Sequence, residues 1–176
     1  MEIIKLLSYR MIIVLNALII LLPLCVISYW MFYETFHLWI NLFYSTLQFE
    51  KMTINLLSKT LAMLISFIPT SIILYGLVKL KQLFKNYQSG IIFSKENATL
   101  YTQLGSSLFA LVIGNVITTP LLALALTFQN GVGERIMMLS LGSNEIIFLI
   151  TGFIVLIISY VMHEAHHLDL EVKHTI

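Results

Sequence analysis

Towards its end the chain reads HEAHH, from His163 to His167, which fits the H-E-x-x-H pattern of zinc peptidases. On a helix, His163 and His167 fall one turn apart and could share a metal ion, with Glu164 placed as general base towards a bound water. A catalytic zinc takes three protein ligands, and only nine residues follow His167. Asp169, Glu171 and His174 would have to fold back at once to supply the third. The motif also stands where an apolar run ends, a place where histidines are ordinary. The expectation is therefore no enzyme, no catalytic residue and no cofactor. Metal held between His163 and His167 is the alternative, along with metal or proton sensing by His163, His166, His167 and His174.

A second group with chemical content is Gly114, Asn115, Thr118, Thr119 and Pro120, the most polar cluster inside any apolar run. An amide in hydrocarbon is costly unless hydrogen-bonded, so Asn115 is expected to face another helix. Asn115, Thr118 and Pro120 are the intramembrane candidates. They serve either as interhelical glue or, with Asn16 and Ser66, as the lining of a ligand or ion path. The lone Cys25 sits in an apolar run, which excludes an intramolecular disulfide and a paired thiolate site.

The elements that must position these residues follow from composition. Of 176 residues, 59% are hydrophobic and 11% charged, far from soluble averages. A formal net charge of +1 provides no basic excess for a phosphate backbone and argues against direct nucleic-acid binding. A membrane helix needs roughly 20 apolar residues to cross a ~30 Å core. Four stretches qualify, at about 11–32, 54–77, 106–128 and 145–162. The first is too long for the h-region of a secretory signal, so it reads as a retained span. Each must be a helix, because a spanning backbone satisfies its own hydrogen bonds. The fold class is all-α, a polytopic membrane protein forming one four-helix domain over residues 1–176. A homo-oligomer is conceivable, but lipid covers the apolar surface equally well.

Basic residues set the orientation. Lys5 and Arg10 precede the first span, and Lys79, Lys81, Lys85 and Lys95 lie between the second and third. The other two connections hold only Lys51 and Arg135, with Lys59 just inside the second span. Both termini and the central interval are expected in the cytoplasm, with the protein in an inner membrane.

The first external connection carries Glu34, His37, Asn41, Ser45 and Gln48 on one helical stripe and Phe36, Trp39, Ile40, Phe43 and Leu47 on the other. That pattern suits an interfacial helix or an extension packed over the bundle. In the second span, Pro69 predicts a kink, with Thr70 and Ser71 hydroxyls positioned to satisfy the freed carbonyl.

The central interval, Lys79 to Gly105, acts as a helical linker. Its first part continues the second helix to Tyr87, and Gln88, Ser89 and Gly90 end it. Ser94 then caps a new helix, with Glu96 in its first turn and Phe93 as staple residue. Ser143 is the expected cap of the fourth helix, with Glu145 in its first turn.

Two stretches carry a resemblance: GIIFSKENATLYTQLG, Gly90 to Gly105, and EAHHLDLEVKHTI, Glu164 to Ile176. With the four spans, they make the chain similar to a bacterial membrane family known as domain of unknown function 2975. Gly90, Phe93, Ser94, Asn97 and Gly105 match the family's entry to its third helix, with one extra residue between Gly90 and Phe93. Glu164, Ala165, Leu168, Glu171, Thr175 and Ile176 match its acidic ending, and the histidines fall outside that motif.

Such relatives look like partners of small Cro-like helix-turn-helix regulators. The resemblance therefore implies a non-enzymatic membrane protein that docks or sequesters a cytoplasmic transcription factor. The docking candidates are Glu96, Asn97, Glu164, Asp169 and Glu171. A small transporter or an immunity-type membrane protein, working through Asn115, Pro120 and Pro69, is the alternative.

Overall fold

The computed structural model describes residues 2–33, 55–128 and 142–174, with side chains placed as far as residue 168 in the last segment. Every regular element among them is a helix: α1 Glu2–Met31, α2 Leu56–Gln88, α3 Lys95–Thr127 and α4 Ser143–His174. Each contains a window long and apolar enough to cross a membrane. The protein is a multi-pass membrane protein, with four such helices among the described residues. The interfacial helix expected between the first two spans lies outside the described residues.

Each helix extends well beyond its apolar run at one end. α2 runs eleven residues past Leu77 and α4 twelve past Met162, while α3 starts eleven residues before Ser106. α1, too, starts early, nine residues before Met11. The central interval is, as expected, the end of α2, a tight turn and the start of α3.

Close backbone approach occurs between chain neighbours: α1 on α2, α2 on α3, α3 on α4. Most of α1 remains exposed, with only Ser8, Leu15 and Trp30 buried, as suits a helix whose other faces meet lipid. At the end opposite the lysine-rich turn, Trp30 stacks on Tyr33 at 5.6 Å and meets Tyr29 edge-on at 5.1 Å. Its indole N–H donates to Ser66 Oγ at 3.0 Å, joining α1 to α2. Leu122 and Leu126 of α3 pack against this cluster.

Three helices run unbroken through a proline, Pro23 in α1, Pro69 in α2 and Pro120 in α3. Pro69 frees the carbonyl of Ile65. The neighbouring hydroxyls bond elsewhere than expected: Thr70 donates to Ser66 O and Ser71 to Ile68 O, each at 2.7 Å. Serine and threonine hydroxyls that reach back three or four residues stay satisfied without a partner helix, and α2 and α3 use this repeatedly.

The α3 and α4 backbones touch where glycines face each other. A Cβ on Gly105 would lie 2.8 Å from Leu156 and 3.2 Å from the Gly152 carbonyl oxygen. Small residues allow this proximity, and in lipid the dispersion contact it brings is a main source of helix association. Two turns along, Ser159 donates to Ala98 O at 2.8 Å, and its oxygen lies 2.7 Å from the Thr102 hydroxyl. Ser159→Ala is expected to weaken the α3–α4 pair by about 1 kcal/mol, a typical value for a hydroxyl bridging membrane helices. Thermal unfolding in mild detergent measures it, and an unchanged midpoint would show that the bridge contributes nothing.

Candidate functional site

The lysine-rich end is built around one side chain. α2 ends at Gln88, where the Ser89 amide returns to Lys85 O, and Gly90 turns the chain at φ +82°, a conformation open to glycine. Ser94 caps α3, its Oγ accepting the Asn97 amide at 3.1 Å. Asn97 then fills the hollow. It is fully buried; its Nδ2 donates to Ile91 O at 2.9 Å and Ile92 O at 2.8 Å, and its Oδ1 accepts from Asn86 Nδ2 at 2.8 Å. Every polar atom of the amide is engaged, as burial requires.

Tyr87 and Tyr101 close the same end with hydroxyls 2.8 Å apart. Burial first, and then the bond to Tyr101, pushes the Tyr87 phenol above its ordinary range, so it stays protonated through neutral pH. Phe93, expected to staple the turn, instead remains about half exposed at 53%.

The docking candidates therefore differ in kind. Glu96 and Glu164 are exposed and available to a partner. Asn97 is the clasp of the turn, and a contact through its amide would require the turn to open. Asp169 and Glu171 lie on the continuing α4 helix, their side chains outside the described residues. The two stretches do meet at one end. Ser159 bonds Ala98, so the following turn of α4, His163 onwards, lies beside the start of α3. The beginning of α1 is there as well, since Lys5 Cε approaches to 3.8 Å of where a Gly90 Cβ would stand.

His163 and His167 stack edge-on with ring centroids 5.0 Å apart, the one-turn spacing the motif demands. Among the described residues no group of three His, Cys, Asp or Glu side chains gathers closely enough to hold a metal ion. His166, half-buried, leaves Nδ1 without a hydrogen-bond partner there.

The intramembrane candidates are divided between interfaces. Asn115 Nδ2 points to Glu145 Oε1 of α4 at 3.4 Å, at the long edge of a hydrogen bond, and Thr119 returns its hydroxyl to Asn115 O at 2.9 Å. Thr118 is buried with its hydroxyl unpartnered among the described residues. Pro120 follows within α3. Ser66, proposed to share a path with Asn115, instead serves Trp30 at the α1–α2 contact.

Glu145 was legible in sequence only as a first-turn acid. It does close that turn, its Oε2 accepting the Gly142 amide at 2.8 Å, which makes Gly142 rather than Ser143 the cap residue. Its reach across to Asn115 had no local signal.

No curated protein and no solved structure matches the chain. The family described as protein of unknown function (DUF2975) matches residues 7–176, and with four apolar helices and the clasped Gly90–Asn97 turn in place the chain belongs to that family.

Proposed function

We propose that this is a non-enzymatic membrane protein whose lysine-rich end, turned to the cytoplasm, holds a soluble partner. The observation that carries the reading is that the helices project past their apolar runs at that end, around a turn fixed by Asn97. α2 reaches Gln88, α3 starts at Lys95 and α4 continues to His174. A flexible loop would lose entropy on binding; a clasped helical platform loses little. Exposed Lys85, Lys95, Glu96 and Glu164 present both charge signs, which serves orientation and choice of partner. The partner class comes from the resemblance alone: a small helix-turn-helix regulator.

Cross-linking in cells, followed by purification in mild detergent, is expected to recover such a regulator. Recovery should be lost when Glu164, Asp169 and Glu171 are reversed to lysine while the membrane level of the protein is unchanged. Recovery that survives the reversal, or no soluble protein recovered at all, would overturn the reading. A transporter reading rests instead on the contact of Asn115 with Glu145. There, Asn115→Leu should abolish solute passage and leave capture intact.

A further inference from the structure

On one flank of the α2–α3 contact the helices leave a cavity of about 340 Å³, lined by Ile72 and Tyr75 of α2 and by Gln103, Ser106, Ser107 and Ala110 of α3. Tyr75, Ser106 and Ala110 are exposed, so the cavity opens away from the protein.

Its depth follows from one contact. Ser107 Oγ lies 3.1 Å from where a Gly76 Cβ would stand, which puts these two residues side by side. α2 and α3 run in opposite directions, since Asn86 meets Asn97 and Tyr87 meets Tyr101 beside the turn. Lys79, three residues beyond Gly76, and Gln103, four before Ser107, therefore both lie ~4.5–6 Å nearer the lysine-rich end. Ile72 and Ala110 lie ~4.5–6 Å the other way. The apolar run of α2 ends at Leu77 and that of α3 begins at Ser106. The cavity thus straddles the edge of the hydrocarbon, with its polar lining outward and its apolar lining inward.

Lys79 marks the outer mouth. Its Nζ stands 5.2 Å from the centre of the Tyr75 ring, within cation–π range, so the ammonium is held over the lining instead of extended into water. The serine hydroxyls there are already committed: Ser106 donates to Thr102 O at 2.8 Å and Ser107 to Leu104 O at 2.7 Å. Their oxygens are left to accept. The donors of the lining are the half-buried Gln103 amide and the Tyr75 hydroxyl, which with Lys79 make the outer end suited to a negatively charged, acceptor-rich group.

A soluble anion would gain nothing from Ile72 and Ala110, and a bare acyl chain nothing from Lys79. A phospholipid joins both chemistries in one molecule, and basic pockets between membrane helices at headgroup level are where anionic headgroups bind. We propose that this flank binds an anionic phospholipid, its phosphate against Lys79, an ester carbonyl at Gln103 and the start of one acyl chain along Ile72 and Ala110. Held there, the lipid touches both helices just below the turn that Asn97 clasps. This inference does not depend on the docking reading, and it holds whichever side of the membrane the lysine-rich end faces.

The full chain, purified in mild detergent, is incubated with phosphatidylglycerol or with phosphatidylcholine, and bound lipid is counted by native mass spectrometry. Both lipids carry a phosphate, but only the first has net charge. One phosphatidylglycerol is expected to stay on each chain, with phosphatidylcholine retained less. Lys79→Ala should lower phosphatidylglycerol occupancy about fivefold, the weight of one cation near an anionic headgroup, and Lys79→Arg should restore it. Lys81→Ala should change nothing, since residues two apart on a helix do not share a face. Ala110→Phe fills the inner cavity from an exposed position and should abolish retention of both lipids. Added phosphatidylglycerol should raise the thermal midpoint of the parent and not that of Lys79→Ala, because a ligand stabilises the state that binds it.

Equal retention of the two lipids, or occupancy that ignores both Lys79→Ala and Ala110→Phe, would overturn the proposal. So would displacement of the lipid by inorganic phosphate at constant ionic strength, or a second copy of the chain in its place.

Discussion

Replacing Asn97 with alanine is expected to lower stability by about 3 kcal/mol, among the largest effects of any single change at the lysine-rich end. The side chain is fully buried and makes three hydrogen bonds. Truncation leaves the Ile91 and Ile92 carbonyls and the Asn86 amide without their partner, and each buried orphan costs about 1–3 kcal/mol. Asn97→Asp should be no better, since it exchanges a donor for an oxygen facing two carbonyls. Asn86→Ala should cost less, because only Asn97 Oδ1 then loses its donor. Thermal unfolding in mild detergent ranks the three, and a loss below about 1 kcal/mol for Asn97→Ala would mean that water replaces the clasp.

Gly105→Leu is expected to separate α3 from α4, and Gly105→Ala to destabilise by about 1–3 kcal/mol through overpacking. The alanine Cβ would stand 2.8 Å from Leu156 Cγ and Cδ2 and 3.2 Å from the Gly152 oxygen. The side-chain clash is removable and the backbone one is not. Adding Leu156→Ala should therefore rescue Gly105→Ala only in part. Gly76→Ala is the milder control, since its Cβ would meet only the Ser107 side chain, at 3.1 Å. Full rescue by Leu156→Ala would show that the two backbones are not in contact.

These two sites differ in how far sequence reasoning reached them. The turn was readable because its signals are local. Gly90 marks a positive φ, Ser94 a cap, and together they bound the break between α2 and α3 to a few residues. The role of Asn97 was not readable, because an asparagine three residues after a cap looks like an exposed polar residue until Asn86 and two carbonyls close over it. The four apolar runs were equally plain, since length and hydropathy alone identify a span.

The offset between α3 and α4 was hidden. In lipid no apolar stripe distinguishes a helix-facing from a tail-facing side, so neither the Gly105–Gly152 contact nor that of Asn115 with Glu145 leaves a periodic trace. The histidine motif is a different case. His163 and His167 have the one-turn spacing, yet spacing on one helix says nothing of a third ligand, and the side chains of Asp169, Glu171 and His174 lie outside the described residues.

The pairing of each helix with its predecessor bears on how the chain is made. α2 finds α1 already emerged, α3 finds α2, and α4 finds α3. After α1, each helix among the described residues has a packing neighbour that precedes it in the chain. Such an order suits synthesis at the membrane, in which each new segment is laid against the one before and unsatisfied intermediates are brief. A truncation after Thr127 is then expected to leave the first three helices inserted and the Asn97 clasp formed, with only Gly105, Ser159's partners and Asn115 deprived of what they hold.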